Sequence, residues 1–560
     1  MGGAIRKGFV SVAGRDVHFR TAGTGPAVVL LHDSPRSSAL HIPLIEALCA
    51  NFTVLAPDTP GNGNSSPLVG EGPFEIGDFA AALAGTLDAL GIERAGFYGF
   101  HTSSKILLEF AVRFPDRVSV AIMDGLSIPP GGPDPGYIAA YMRPFVLEED
   151  GAHIAREWTR LRDSGRWFPW FSREPAHRIG SQEPDPAQSH QAFLDYFSAG
   201  PHYVEAYSAA MYYLAAPRLA ELAVPTVIMA REDDVLYGHL DRLPALPRGC
   251  KVERLGSDKT AWRRRLESVF KAHVVDGPGP DLARHAERQA GTGSGYVDLP
   301  HGQLRIRRFS AGAGRTVVYL HETPGGAGAA TDFLAALAQG RTVIAPDLPG
   351  CGLSDPLPSP SCEAYVAALV PAISQFCAGP VDLVAAFTAT PLALRLLAEA
   401  PSLFHRVVLD GVLVADGDTR AALARDYCPA LTFDFSGSHL QAAWQMLRDQ
   451  DIQWPWYDGG PDAARRTAEA PDARRLHRRF LDVLSQVDRY GEALQAGLSC
   501  DAREDLAALV APVLVTTQDG DPRFEGAALA AALSDKVSTA PRPATTEARA
   551  ALFRNFLDRS

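Results

Sequence analysis

The sequence predicts an α/β fold that occurs twice, each copy a mainly parallel sheet flanked by helices and carrying a helical cap. Three observations predict it. Short apolar runs alternate with helical patterns, the same motifs recur at a nearly constant offset, and a long helical segment interrupts each copy. A chain of 560 residues is also too long for one ordinary domain, and 46% hydrophobic residues suffice for two packed cores.

The internal repeat organises the chain. Five motifs of the first half recur in the second about 287 residues later, far beyond the period of a solenoid. The matched segments are 27–35 with 316–324, 52–67 with 341–356, 97–125 with 384–411, 153–171 with 439–457, and 224–234 with 511–521. We therefore interpret the chain as a domain duplication.

The repeat sets the expected boundaries. We predict a first domain over residues 1–273 with a cap at about 126–222, and a second domain over 296–560 with a cap at about 412–509. The intervening stretch 274–295 is rich in Gly, Pro and polar residues, a composition typical of a surface linker.

Each element of the first copy has its own signal. The runs AVVLLH and FTVLAPD are short, rich in Val and Leu and followed by Pro or Gly, which predicts buried strands. Residues 73–92 carry apolar side chains at helical spacing and reach a glycine, which predicts a helix and its end. RAGFYGF then predicts a strand, KILLEFAVRFP a helix and VSVAIMDG another strand. This βαβα alternation favours a parallel sheet covered on both faces.

Composition narrows the class of protein. A net charge of −12 and a pI near 5.7 argue against a nucleic-acid or membrane-surface partner, so we expect a small-molecule substrate. No apolar run approaches 18 residues, and the N-terminus lacks the apolar core of a signal peptide. Seven cysteines without a CxxC spacing predict neither a disulfide framework nor a metal site. We expect a cytoplasmic protein, a pseudo-dimer within one chain, with further homo-oligomerisation left open.

Several motifs carry a family resemblance. LLHDSP, APDTPGNGNS, the strand–turn–helix around 97–112 and a late strand followed by Asp resemble the α/β-hydrolase superfamily, in the capped branch that includes epoxide hydrolases and haloalkane dehalogenases. The resemblance covers nearly the whole chain, twice over. It implies two tandem α/β-hydrolase folds and a hydrolytic enzyme.

The catalytic positions depart from that family's pattern. The nucleophile elbow of the superfamily is G-x-S-x-G, whereas the first half has Gly99-Phe100-His101-Thr102-Ser103, which puts His101 at the nucleophile position. Thr388 stands there in the second half. A histidine at this place resembles a less common subgroup with an H-H-T-G-like elbow and an LLHxTPRS-like loop.

The family's acid is present in both halves, and its histidine is not. Asp234 and Asp124 occupy the two acid positions that members of the superfamily use, and which of them pairs with His101 is left open. Lys259 stands roughly where the family's histidine would be, and the second half has no histidine after His477. A Ser-His-Asp triad in its usual form is therefore excluded.

An imidazole at the elbow still has chemistry to offer. It titrates near neutrality, and an Asp on one ring nitrogen would leave the other as a base that activates water or abstracts a proton next to a carbonyl. His101 is also a candidate nucleophile. The alternative is a degenerate elbow in which His101 fills space.

The loop after the first buried strand supplies further candidates. His32 is usually structural in the superfamily, and Ser34 follows at a position that offers a hydrogen-bond donor to an oxyanion. Asp33 stands where glycine is usual, either as an acid–base partner or turned to the surface. Arg36 would grip a substrate carboxylate or else bridge neighbouring loops.

Aromatic and elbow residues complete the candidate set. Phe100 and Thr102 flank His101, and Trp158 and Trp170 belong to the aromatic-rich cap. The cap aromatics recur in both halves, which favours packing, yet such walls would suit an apolar or aromatic ligand.

The sequence thus favours a cofactor-free, metal-free hydrolase or lyase that uses His101, with Asp234 or Asp124, on a small carbonyl compound. The second half would be a degenerate partner. Two alternatives stay open: a non-catalytic binding protein that keeps only the pocket, and an isomerase or cyclase that uses the pocket shape.

Overall fold

The computed structural model describes residues 4–180, 183–274, 279–282, 293–376 and 379–559. The chain divides into two compact units. The first comprises residues 1–146 and 156–289, and the second comprises 147–155 and 290–560. The short segment 147–155 thus lies within the predicted first domain in sequence but belongs to the second unit.

The first unit is built on an eight-stranded sheet in the order β1-β2-β4-β3-β5-β6-β7-β8. The strands β3 to β8 run parallel, and β1 and β2 add an antiparallel edge. The strands are β1 Arg6–Val12, β2 Arg15–Ala22, β3 Ala27–Leu31, β4 Thr53–Pro57, β5 Ala95–Phe100, β6 Val118–Asp124, β7 Thr226–Arg231 and β8 Cys250–Leu255.

Helices separate these strands in sequence. They are α1 Ile42–Leu48, α2 Ile76–Ala89, α3 Thr102–Arg113, α4 Pro135–Tyr141, α5 Ala152–Ser164, α6 Pro186–Ala199, α7 Tyr203–Tyr212, α8 Ala215–Leu219 and α9 Lys259–His273. Helix α2 begins with a capping box between Glu75 and Asp78 and ends before Gly91, whose φ of +69° suits glycine. The predicted cap segment between β6 and β7 holds α4 to α8.

The central strand β3 shows how the sheet divides the core. Val29 and Leu31 pack into one apolar cluster, whereas Val28 and Leu30 pack into another. Because successive side chains of a strand point to opposite faces, both faces of the sheet are covered. This explains why the strand is an unbroken apolar run in sequence.

The second unit repeats this architecture in the order β9-β10-β12-β11-β13-β14-β15-β16. Its strands are β9 Gly293–Leu299, β10 Gly302–Ser310, β11 Gly314–Leu320, β12 Arg341–Pro346, β13 Val381–Ala386, β14 Phe404–Asp410, β15 Val513–Thr517 and β16 Val537–Pro541. Its helices are α10 Thr331–Leu337, α11 Cys362–Phe376, α12 Thr390–Glu399, α13 Gly417–Asp426, α14 Ser438–Ile452, α15 Ala473–Leu484, α16 Glu492–Ser499, α17 Ala502–Ala507, α18 Gly526–Leu533 and α19 Thr546–Leu557. The expected duplicated α/β fold is confirmed.

One expectation from the cysteines is wrong. A disulfide joins Cys362, the first residue of α11, to Cys500, which follows α16, with 6.0 Å between their Cα atoms. The two cysteines are 138 residues apart in sequence, so no local spacing motif announces the pair. Within the described ranges, no helix is long and apolar enough to cross a membrane.

Candidate active site

The sequence motif at the end of β5 forms a sharp turn that presents His101. Its backbone has φ 49° and ψ −108°, a conformation that non-glycine residues rarely adopt, and α3 begins with the next residue. The N–H of His101 donates to the carbonyl of Asp124 at 3.0 Å. Strand, strained turn and helix together are the geometry of a nucleophile elbow.

His101 makes a short contact with Asp234. Its Nε2 lies 2.8 Å from Oδ2 of Asp234, which follows β7 and is 4% exposed, whereas the imidazole is 26% exposed. Among the described residues nothing bonds to Nδ1, the other ring nitrogen. The ring stacks on Phe100 with centroids 4.0 Å apart. One nitrogen is thus held by a carboxylate, and the other is open to a ligand.

Gly125 allows this ring position. A Cβ added to Gly125 would lie 2.3 Å from Cδ2 and 2.7 Å from Nε2 of His101, closer than atoms can approach. Gly125 also has a φ of +65°, which favours glycine. The backbone therefore approaches the imidazole edge-on where a side chain would displace it.

The carboxylates around His101 set its charge. Burial lowers the pKa of His101, but the hydrogen bond and the charge of Asp234, with Asp33 and Asp124 further off, outweigh burial, so the pKa lies above its ordinary value of 6.5. For Asp234, burial raises the pKa, and the bond and charge of His101 bring it below the usual range. The pair therefore stabilises the protonated form of His101 more than water does, and His101 is a neutral base at a pH above its raised pKa.

Asp124 forms its side-chain hydrogen bonds with neighbouring aromatic residues and not with His101. Its Oδ2 accepts hydrogen bonds from Tyr98 Oη at 3.0 Å and from Trp262 Nε1 at 2.9 Å. Burial raises its pKa, and the two donors only partly offset that effect. Of the two acids left open by the sequence, the structure brings Asp234 and not Asp124 to the imidazole. Lys259 is exposed at the first position of α9 and takes no part.

The loop after β3 places an acid near His101. His32 accepts the N–H of Thr59 at Nε2 (2.9 Å), so its Nδ1 carries the proton that it donates to the carbonyl of Asp33 (2.7 Å). Both nitrogens of His32 are thereby used in holding the loop. The Oδ1 of Asp33 is buried without a hydrogen-bond partner, and burial raises the pKa of Asp33 despite the opposing charges of Arg36 and His101.

Arg36 bridges the loop to the cap segment. Its Nε donates to Asp195 of α6 at 2.9 Å, and the hydroxyl of Ser37 donates to the same carboxylate at 2.7 Å. Asp195 is 3% exposed. The bridging role that the sequence left open for Arg36 is therefore present in the structure.

The two tryptophans pack inside the cap segment. Trp158 is 4% exposed and packs edge-on against Phe193, while Trp170 donates its Nε1–H to the carbonyl of Tyr141. The guanidinium of Arg160 lies over the Trp170 ring, 5.1 Å from its centroid. These contacts of both tryptophans lie within the segment between β6 and β7.

Two backbone donors remain at the elbow. The N–H groups of Ser34 and Thr102 have no acceptor within the described part of the chain, and Thr102 opens α3. In an elbow of this type such groups bind developing negative charge on oxygen. Within the same ranges no group of three or more His, Cys, Asp or Glu is placed to hold a metal ion.

Comparison with family models gives the same assignment for each half. Residues 26–250 match a model described as the alpha/beta hydrolase fold, and residues 317–550 match one described as the alpha/beta hydrolase family. The chain belongs to the α/β-hydrolase superfamily, as two tandem domains. The sequence-based identification is thereby confirmed.

Curated relatives within this superfamily match over shorter stretches. The 2-hydroxy-6-oxo-6-phenylhexa-2,4-dienoate hydrolase of Comamonas testosteroni is 32% identical over 120 residues, which is 21% of this chain and 40% of the relative. Haloalkane dehalogenase 2 of Mycobacterium tuberculosis is 34% identical over 115 residues, 20% of this chain and 40% of the relative. An uncharacterized hydrolase of Saccharomyces cerevisiae is 33% identical over 112 residues, which is 19% of this chain and 37% of the relative. The matches thus span two-fifths or less of these relatives.

Solved structures of the superfamily align with one half of the chain. Epoxide hydrolase A from Mycobacterium thermoresistibile has a TM-score of 0.39 and 20% identity, and covers 49% of this chain and all of its own. The enol-lactonase from Burkholderia xenovorans has a TM-score of 0.36 and 18% identity, and the alignment covers 47% of this chain and 97% of the lactonase.

The second α/β-hydrolase domain has a different elbow. Thr388 stands in place of His101, and its Oγ1 accepts the N–H of Thr323 at 2.7 Å, so the donor that matches Ser34 is occupied. Glu322, the counterpart of Asp33, forms an ion pair of 2.5 Å with Arg523. Asp521, the counterpart of Asp234, is bound by Arg465 at 3.0 Å. The cavity left at this elbow is about 10 Å³, the space of roughly one water.

Sequence reasoning missed Gly125, Asp195, Tyr98 and Trp262. A signal existed for Asp195, because the repeat aligns it with Asp482 of α15. Gly125 also recurs, as Gly411 after β14. No pattern pointed to Trp262, since it lies on α9, far in sequence from the acid that it contacts.

Proposed function

We propose that the first half is a cofactor-free hydrolase or lyase in which His101 is the catalytic base and Asp234 orients it. The observation that carries the proposal is the 2.8 Å contact between Nε2 and the carboxylate, with Nδ1 left open at a partly exposed elbow. The superfamily assignment and the hydrolases among the relatives support hydrolysis as the reaction class.

The proton has a complete path in such a reaction. Nδ1 takes a proton from water as the water oxygen bonds to the substrate carbonyl carbon, and the carbonyl electrons move to its oxygen. Collapse of this intermediate breaks the bond to the leaving group, which takes the proton back from the imidazolium. The N–H groups of Ser34 and Thr102 are the donors that this proposal assigns to the oxyanion. A lyase reaction would use the same base on a carbon-bound proton.

The surroundings of His101 favour a neutral, apolar or aromatic substrate. Tyr207 donates a hydrogen bond of 3.2 Å to Tyr141, and burial raises the pKa of both hydroxyls, with a smaller contribution from the charge of Asp33 in the loop after β3. Arg36 is already paired with Asp195, so we assign it to holding the cap segment and not to a substrate carboxylate. The Comamonas relative is named for an oxo compound that bears a phenyl group, which supports an aromatic carbonyl compound; that compound is also a carboxylate, so the relative does not support the neutral charge that we propose for this substrate.

The test is His101→Ala assayed with p-nitrophenyl acetate, an aromatic ester. Positioned acid–base groups contribute about 10²–10⁴ to rate, so we expect a loss of that size in kcat/KM with the fold retained by circular dichroism. The matched control is His202→Ala, which removes another histidine–carboxylate pair of the same unit, 2.7 Å from Glu205. Equal turnover in His101→Ala and the unaltered protein would overturn the proposal.

A further inference from the structure

The second unit holds a groove that is separate from its elbow. It has a volume of about 290 Å³, near the lower end of pockets that bind small molecules. It lies where the predicted cap leaves the core, at residues 413–417 after β14, and where it returns, at residues 497–503. A molecule in this groove would touch both connections of the cap.

The floor of the groove is apolar and fixed. Leu413 and Leu498 are each 6% exposed and belong to the cluster that also contains Phe387 and Tyr427 of the elbow. The side wall includes Cys500, which the disulfide to Cys362 ties to α11. The groove is thus built from elements that are already anchored in the core, which favours binding because little ordering is needed.

Its rim carries two guanidinium groups without carboxylate partners. Arg420 of α13 and Arg503 of α17 both line the groove, and within the described ranges no carboxylate lies at ion-pair distance from either. The two acids on the rim face helix ends: Asp416 accepts the N–H of Thr419 at 2.8 Å, and Asp501 accepts that of Arg503 at 3.1 Å. Both carboxylates keep their charge, and the hydrogen bond from Thr419, followed by the charges of Arg503 and Arg420, lowers the pKa of Asp416. What the rim leaves for a ligand is the set of guanidinium N–H donors, which no described carboxylate binds at ion-pair distance.

The first unit fills the matching place. There Lys105 of α3 is buried, and its Nζ donates to the carbonyl of Ala210 in α7 at 2.7 Å. By the repeat, Leu392 and Gly497 replace Lys105 and Ala210. A Cβ added to Gly497 would meet Leu392 N at 3.8 Å and Pro391 Cβ at 3.9 Å, which are ordinary van der Waals contacts. Neither Leu392 nor Gly497 can supply the side-chain ammonium that fills this place in the first unit.

We propose that this groove binds a small amphipathic carboxylate, with its apolar chain on Leu413 and Leu498 and its carboxylate between Arg420 and Arg503. The apolar floor supplies the burial, and the two guanidinium groups supply charge-assisted hydrogen bonds to the head. This site is independent of His101 and of any reaction in the first half. It gives the second half a binding role where its elbow is occupied by its own side chains.

The test is calorimetric titration of the full chain with octanoate and, in parallel, with octanol. We expect octanoate to bind and octanol to bind at least tenfold more weakly, because the alcohol lacks the charge that both arginines recognise. The double variant Arg420→Ala/Arg503→Ala should lose octanoate affinity by tenfold or more. The matched control is Arg425→Ala, which removes an exposed arginine of the same helix that is paired with Asp426.

A second variant locates the site independently of charge. Gly497→Leu places a side chain beside Pro391, which also lines the groove, and should block octanoate. The proposal is overturned if octanoate does not bind the unaltered chain, if octanol binds equally well, or if affinity survives both the double variant and Gly497→Leu. Because no turnover is measured, failure here leaves the role of His101 unaffected, and the reverse also holds.

Discussion

Replacing Gly125 by alanine tests the geometry at His101 without touching a polar group. The new Cβ would stand 2.3 Å from Cδ2 of His101, and only 3.4 Å from Oδ2 of Asp234. Carbon atoms in contact are about 3.5–4.0 Å apart, so the ring must retreat by about 1 Å or more. That retreat stretches the 2.8 Å bond to Asp234 beyond hydrogen-bond range.

Two costs follow, and they differ in kind. A hydrogen bond to a charged group contributes about 1.5–3 kcal/mol, which corresponds to roughly a ten- to hundredfold loss in kcat/KM if Asp234 stabilises the imidazolium in the transition state. Separately, alanine at a φ of +65° costs about 1–2 kcal/mol of folding free energy. The first cost affects both activity and stability, whereas the second affects stability alone.

Gly411→Ala separates the two. Gly411 is the counterpart of Gly125 in the second unit, with a φ of +76° and its nearest side-chain neighbour, Phe387, 3.2 Å from the added Cβ. It should show the stability cost of the positive φ in thermal unfolding, without the cost of the broken hydrogen bond, and leave turnover of p-nitrophenyl acetate unchanged. NMR titration of the histidine rings should show the raised pKa of His101 falling in Gly125→Ala only. Unchanged turnover and an unchanged His101 pKa in Gly125→Ala would refute the reasoning.

Two further predictions concern the acid and the second elbow. Asp234→Asn removes the main influence that raises the pKa of His101, so the ascending limb of kcat/KM against pH should move to lower pH while the plateau falls; a limb that stays in place would show that another group titrates. Thr388→Ala should change turnover by no more than about twofold from that of the unaltered protein, because the Thr388 hydroxyl already accepts the N–H of Thr323. A loss comparable to that of His101→Ala would show that the second half, and not the first, is the active one.

The fold was predictable because its signals are local or repeated. The strand β3 is apolar on both faces, and helix α2 ends two residues before Gly91. The duplication also allowed each weak signal to be checked against its counterpart. The disulfide escaped because only the packing of α11 against α16 brings Cys362 and Cys500 together, and neither segment marks the other in sequence.

The candidate site was predictable only in part. The elbow motif placed His101, since strand, turn and helix follow one another directly. The choice between Asp124 and Asp234 depended on side-chain directions at the ends of β6 and β7, which a sequence does not show. The donors Tyr98 and Trp262 determine which acid pairs with His101, because both donate to Asp124 and leave Asp234 to the imidazole.

The contrast between the two elbows lies in how each handles the acid of the loop after its first parallel strand. In the first unit Asp33 keeps a buried oxygen without a hydrogen-bond donor, and its pKa is raised. In the second, Arg523 pairs with Glu322, whose pKa is lowered, although burial alone would raise it. A buried, unsatisfied carboxyl costs stability that a guanidinium partner would recover. The first unit keeps this cost beside His101, as expected if that elbow is an active site. The second unit has removed the cost beside Thr388, as expected if that elbow is inactive.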